Sequence, residues 1–263
     1  MKLEVISKEV IEIVKRVGSF IEAESKKLST ADVEVKGLND FVTYIDKEAE
    51  QRLIRELKGM IPNAGFIVEE DQSQKKAAEY NWIIDPIDGT TNFIHSIPVY
   101  SISVALSFKD EIILGIVYEI NSKECFHTIK NQPAYVNNKI ISVSENNVPG
   151  KALIATGFPY HDFSLIDPYL LLFKDVMQNS RGIRRLGSAA VDLAYVACGR
   201  FDVFFEYGLK PWDVAAGAFI VKQASGKVSD FSGKSNYIFG QQIIATNNLL
   251  HEYFIKKVQR YFI

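Results

Sequence analysis

The sequence predicts a layered α/β protein, α+β in its first half and alternating α/β in its second. Three observations carry that prediction. Apolar segments of strand length crowd residues 66–129 with turn residues between them. Strand-like and helix-like segments alternate after residue 150. The 263 residues are 47% hydrophobic and 12% aromatic, enough for a large core. Surface scaling gives roughly 12,000 Å² for the folded chain against about 43,000 Å² extended.

The elements follow in order. Residues 3–27 read as an amphipathic helix, because Ile6, Val10, Ile13, Val14, Val17 and Ile21 recur at helical spacing. Residues 26–40 are polar and glycine-punctuated, a loop or hairpin. A second helix is expected over 45–60, with Ala49, Leu53, Ile54 and Leu57 on one face and Pro62 and Gly65 marking its end. Phe66–Val68 and Trp82–Ile84 are short apolar strands, each followed by carboxylates. Strands over 101–108, 112–118 and 125–129 are joined by turns at 109–111 and 121–123. The polar stretch 144–150 divides the chain into expected halves, 1–145 and 146–263. In the second half, strands are expected at 152–156, 182–185, 203–207, 227–228 and 243–246. Helices are expected at 168–177, 188–198 and 211–224 and at the C-terminus.

Composition excludes several classes. A net charge of -2 lacks the basic excess of an electrostatic nucleic-acid binder. Two cysteines, Cys125 and Cys198, make no disulfide scaffold and read as small buried hydrophobes. No apolar run reaches the roughly 18 residues that span a bilayer, and the first residues lack a signal-peptide pattern. A cytoplasmic protein without membrane partners is expected.

The chemistry concentrates at 82–92, Trp-Ile-Ile-Asp-Pro-Ile-Asp-Gly-Thr-Thr-Asn. An apolar strand delivers Asp85 at its end, and Pro86 fixes the turn. Asp88 follows close enough to share an ion site. Gly89, Thr90 and Thr91 offer backbone N–H groups that would cradle an anion if a helix starts there. Paired hard oxygen ligands beside a phosphate cradle suit Mg²⁺. Glu69-Glu70-Asp71 alone reads as a solvated loop; parallel pairing of the two short strands would instead set Glu69 beside Asp85. Asp213, in Lys210-Pro211-Trp212-Asp213, would cap a helix, yet the apolar run behind it would aim it inward. Thr43 and Asp46 match a helix cap.

Together these motifs resemble the inositol monophosphatase family, in order from about residue 8 to 250. Lys36, 40–46, 65–70, 82–92, 182–190, 205–207 and 212–217 carry the match. The resemblance implies an α-β-α-β-α sandwich of the sugar phosphatase type, a homodimer, and Mg²⁺-dependent hydrolysis of a phosphate monoester. It implies two or three Mg²⁺ per site, held by Glu69, Asp85, the Ile87 carbonyl, Asp88 and Asp213. Thr90, bonded to Asp46, would act on the attacking water, with Glu69 as a third catalytic group. Asp88, Gly89, Thr90, Gly187, Ser188, Ala189, Glu206 and Asp213 would contact substrate. One departure stands out: Val68 occupies the place of a family glycine, and a β-branched residue prefers extended backbone.

Inositol monophosphate is the substrate that the resemblance puts first. A carboxylate at Glu206 suits neutral hydroxyls and would repel a second phosphate, which favours a monophosphorylated polyol or sugar. Relatives that act on fructose bisphosphate, histidinol phosphate or adenosine 3′,5′-bisphosphate keep those substrates open, with the wall near Glu206 and His161 deciding. A regulatory binding role is the reading from another class. The basic cluster Arg181-Gly182-Ile183-Arg184-Arg185 motivates it, although nucleic acid is not the expected partner. Among the histidines, only His95 stands near the phosphate motif.

Overall fold

The computed structural model describes residues 2–27, 33–37, 40–71, 73–160 and 162–262. Helix α1 (Leu3–Ser25) and helix α2 (Tyr44–Lys58) match the two expected amphipathic helices. Between them lie β1 (Val33–Gly37) and β2 (Asp40–Thr43), paired antiparallel. His161 and residues 38–39 lie outside the described residues.

A seven-stranded sheet follows, ordered β3-β4-β5-β6-β7-β8-β9. Its strands are β3 (Gly65–Val68), β4 (Tyr80–Asp88), β5 (Ser101–Phe108), β6 (Glu111–Glu119) and β7 (Glu124–Ile129). The short strands β8 (Ala134–Val136) and β9 (Lys139–Ile141), which extend the sheet beyond β7, have no counterpart in the sequence reading. The one-turn helix α3 (Thr90–Ile94) leaves the end of β4. Within this sheet β3 and β4 pair in parallel and the remaining pairs are antiparallel.

The second sheet runs β11-β10-β12-β14-β13. It comprises β10 (Leu153–Thr156), β11 (Gly182–Arg184), β12 (Val203–Tyr207), β13 (Lys227–Ser229) and β14 (Gln242–Thr246). Helices α4 (Ile166–Gln178), α5 (Ala189–Ala197), α6 (Pro211–Gln223) and α7 (His251–Phe262) complete the order.

Strand alternation sorts these elements into five layers. On one face of the large sheet Trp82, Ile84, Val104 and Ile116 pack against Val10, Val14 and Leu53 of α1 and α2. On the other face Ile83, Ala105 and Val117 meet Ala194, Ala215 and Ile220 of α5 and α6. The same two helices touch Phe204 and Ala245 of the small sheet. Its far face, Val203, Phe205 and Ile244, covers Tyr169, Leu172, Phe254 and Val258 of α4 and α7. The expected α-β-α-β-α order is therefore present. The folded surface is 12137 Å², in line with the scaling expectation. No helix among the described residues is long and apolar enough to cross a membrane.

Helices α5 and α6 are apolar almost all round because they lie between two sheets. Small residues let them approach: a Cβ on Gly217 would come within 2.6 Å of Leu193. Gly115 of β6 plays the same part against α6, where a Cβ would stand 2.9 Å from the Ala216 carbonyl oxygen. Backbone cannot yield as a side-chain tip can. Gly115→Ala should therefore lower stability by about 1–3 kcal/mol, read as a reduced urea midpoint with an unchanged slope.

Candidate active site

The end of β4 builds the first part of the site. Asp85 and Asp88 are three residues apart, which would put them on opposite faces of a regular strand. A bulge intervenes: Asp85 pairs with Ser103 and Asp88 with Ser101. The extra residue restores the parity, so both carboxylates face α5 and α6. The serines opposite them report the same side. Ser103 donates to the Trp212 carbonyl, and Ser101 Oγ lies 3.4 Å from Ser188 Oγ.

Glu69 arrives by register. Val68 pairs with Ile84, so the next residue stands beside Asp85, and their side chains share a hydrogen bond. Val68 lies buried within β3, an extended setting that suits a β-branched side chain. The departure from the family glycine thus leaves β3 and its pairing intact.

Asp213 comes from the first turn of α6. Its Oδ2 accepts the Lys210 N–H at 2.7 Å, so it caps the helix and faces inward at once. Carboxylate oxygens of Asp85, Asp88 and Asp213 lie within 4.8 Å of one another. Arg185 and Lys210 line the same cavity and pull Asp88 and Asp213 down, yet burial and mutual repulsion prevail. Burial, then the charges of Glu69, Asp88 and Asp213, hold Asp85 well above the usual carboxylate range. Burial raises Asp88 to about 6. Burial and the Asp88 charge raise Asp213 to about 7. A dense group of hard oxygen donors that resist ionising together fits a divalent cation such as Mg²⁺.

Asp88 is tightly held. Its Oδ2 accepts the Ser188 hydroxyl at 2.6 Å and the Ala190 N–H at 2.7 Å. Ser188 also caps α5 by accepting the Val191 N–H. Its hydroxyl is thereby committed to Asp88, which removes any need to read it as a nucleophile.

Gly89 opens α3 at φ 101°, a conformation that favours glycine. A Cβ there would also press on the Gly187 and Val99 carbonyl oxygens, each at 3.1 Å. Thr90 Oγ1 lies 3.0 Å from the Ile87 carbonyl oxygen and 3.4 Å from Asp46 Oδ1. Asp46 is 1% exposed, and burial raises its carboxyl to about 6. Its Oδ2 accepts both the N–H and the hydroxyl of Thr43. The capping pair read from the sequence is thus present, and its second oxygen reaches Thr90.

These groups border one cavity of about 370 Å³. Glu69, Asp85, Ile87, Asp88, Gly89, Thr90, Gly187, Ser188, Ala189, Glu206 and Asp213 all line it. Asp46 stands behind Thr90. Glu206 enters from β12 on the face shared with Phe204; burial holds it well above the usual range, with Arg185 opposing. His95 is exposed and does not line the cavity, so the structure gives it no part there. Arg185 turns toward the cavity and leaves Arg181 and Arg184 on the surface. The basic cluster is therefore split.

Sequence reasoning missed three residues. Gly157 makes room for Glu206, since a Cβ there would run into its carboxyl. Asp192 is 1% exposed and sits in the cavity wall. Asn92 donates to the Val99 and Leu186 carbonyls, each at 2.7 Å, and so ties α3 to the 186–187 turn. The one available signal was Asp192, a carboxylate inside an otherwise apolar helix.

The model of the inositol monophosphatase family matches residues 2–262. The chain belongs to the inositol monophosphatase family. A putative Nus factor SuhB of Neisseria meningitidis is 42% identical, with 89% of this chain and 90% of that one covered. An inositol-1-monophosphatase of Mesorhizobium japonicum is 32% identical over 95% of each. The structure of a Thermotoga maritima IMPase superposes at a TM-score of 0.87, with 35% identity over 97% of this chain and 96% of that one. Family membership and the five-layer fold therefore agree.

Proposed function

We propose that this chain is a Mg²⁺-dependent phosphate monoesterase whose substrate is a singly phosphorylated polyol, inositol monophosphate foremost. The observation that carries the reading is the convergence of Asp85, Asp88 and Asp213 within 4.8 Å, in the same cavity as Thr90 and Glu206. Glu69, Asp85, Asp88, Asp213 and the Ile87 carbonyl would hold two or three Mg²⁺. When bound, Mg²⁺ would neutralise phosphate charge and ease deprotonation of the attacking water.

The chain's own residues supply the rest. Phosphoryl transfer needs positioning and charge compensation more than covalent help. The N–H groups of Gly89 and Thr90 would hold phosphate oxygens. The Thr90 hydroxyl would take up the water's proton while passing its own toward Asp46. Gly187, Ser188 and Ala189 would form one wall. Glu206, opposite the metal ligands, would accept hydrogen bonds from substrate hydroxyls and repel a second phosphate. The reading treats 1–145 and 146–263 as two halves that meet at this cavity, in a cytoplasmic homodimer.

The test is inorganic phosphate release from inositol 1-phosphate, fructose 1,6-bisphosphate, histidinol phosphate and adenosine 3′,5′-bisphosphate, with Mg²⁺ and with chelator. Release from inositol 1-phosphate far above the rest, abolished by chelator, is the expected result. Release that ignores chelator would overturn the mechanism; preference for a bisphosphate would overturn the role of Glu206. A second reading has its own support, because the Neisseria relative is named a putative Nus factor and Arg181 and Arg184 are exposed. Failure to capture RNA polymerase or RNA would remove it.

A further inference from the structure

Helix α2 carries a second carboxylate one turn beyond Asp46. Glu50 is 1% exposed and lies outside the cavity lining. Its Oε2 accepts the Glu70 N–H at 2.8 Å, and its Oε1 accepts the Asp71 N–H at 2.7 Å. Both oxygens therefore grip the backbone of the two residues that follow Glu69. A buried carboxylate needs such donors, and charge-assisted bonds of this length are the strong kind. Burial pushes Glu50 up to about 7, against the pull of these two N–H groups.

Among the described residues, the Asp71 side chain bonds its near neighbours Ser73 and Gln74, so the hold on its N–H comes from Glu50. Residues 46 and 50 share one helix face. One rigid face thus reaches Thr90 through Asp46 and the acidic turn through Glu50. A carboxylate at a strand end, such as Glu69, is aimed by the backbone that leaves it.

We infer that Glu50 is a positioning residue for Glu69, which sets how tightly the site holds a divalent cation by pinning the backbone of residues 70 and 71. The inference rests on the proposed role of Glu69 as a cation ligand. Groups that orient metal ligands from behind are worth about 10- to 100-fold in affinity.

The experiment compares the full chain with Glu50→Gln and Glu50→Asp. Glutamine turns one acceptor into a donor facing an N–H. Aspartate keeps the charge but is one methylene too short to reach both groups. Cation affinity is read directly by titration with Mn²⁺, and separately as the Mg²⁺ concentration giving half-maximal phosphate release. Both variants should need about 10- to 100-fold more cation. At saturating Mg²⁺, kcat should stay within about threefold of the parent, as expected for a residue that touches no substrate. Unchanged Mn²⁺ affinity would overturn the inference, and so would a kcat loss that excess Mg²⁺ does not restore. If neither variant folds, Glu50 serves stability alone and the inference falls. If the parent itself releases no phosphate, the proposed function fails, and the Mn²⁺ titration still decides the part played by Glu50.

Discussion

Asp88→Asn should lower turnover by about a hundred- to a thousandfold while the fold persists. The reason lies in how Asp88 is held. On the α5 side its Oδ2 accepts from the Ser188 hydroxyl and the Ala190 N–H, and the Ala189 N–H also bonds the carboxylate. An asparagine can keep its carbonyl oxygen on those donors and turn its NH₂ toward Asp85 and Asp213. The support from α5 would survive, but a ligand charge would be replaced by a donor facing the cation site. Circular dichroism and the urea midpoint should therefore match the parent or exceed it, since the carboxylates within 4.8 Å lose one member. Phosphate release is the measurement. Turnover within tenfold of the parent at saturating Mg²⁺ would remove Asp88 from the reaction.

Whether a feature could be read from the sequence tracks the distance over which it is determined. The Asp85–Thr91 string was legible because its turn chemistry is local: proline, two carboxylates and a glycine at positive φ. Glu69 beside Asp85 followed from one pairing assumption, which β3 and β4 meet. Helix α6 was legible as a buried helix from its apolar run behind Asp213, whereas α5 read only as a helix. Gly157 was not legible, since its requirement comes from Glu206, 49 residues later, across the pairing of β10 with β12. Glu50 looked like any charged residue on an amphipathic helix until the turn at 70–71 folded onto it. The short strands β8 and β9 were missed because three-residue strands leave too little periodicity to detect. His95, near the phosphate motif in sequence, is exposed at the end of α3, because proximity in sequence does not fix the direction in which the end of one helical turn points.

The metal-free protein should lose stability as pH rises, and Mg²⁺ should remove the part of that loss owed to the cation cluster; Asp46 and Glu50, raised by burial to about 6 and about 7, add a part that Mg²⁺ leaves in place. In the unfolded chain these carboxyls titrate near 4. In the fold Asp88 is raised to about 6 and Asp213 to about 7, and Asp85 stands well above its ordinary value. The fold therefore binds more protons than the unfolded chain through this window, so stability is full below about pH 4 and falls as pH rises through 6 and 7. His251 works the other way: burial lowers it to about 4, so its contribution grows with pH up to about 6.5 and must be separated. The separation is made by the cation, since His251 lies on α7, away from the cavity. Thermal unfolding with chelator should show Tm at pH 8 lower than at pH 5 by about 5 °C or more, and saturating Mg²⁺ at pH 8 should raise it again, short of full recovery by the share of Asp46 and Glu50. Asp213→Asn supplies the internal control. Its amide oxygen can still accept the Lys210 N–H that Asp213 holds at 2.7 Å, so the α6 cap is kept while one charge leaves the cluster. With chelator at pH 8 this variant should melt above the parent, and Mg²⁺ should raise its Tm little. A chelated parent whose Tm is flat with pH, or a variant that gains as much from Mg²⁺ as the parent, would show that these carboxylates do not share a cation.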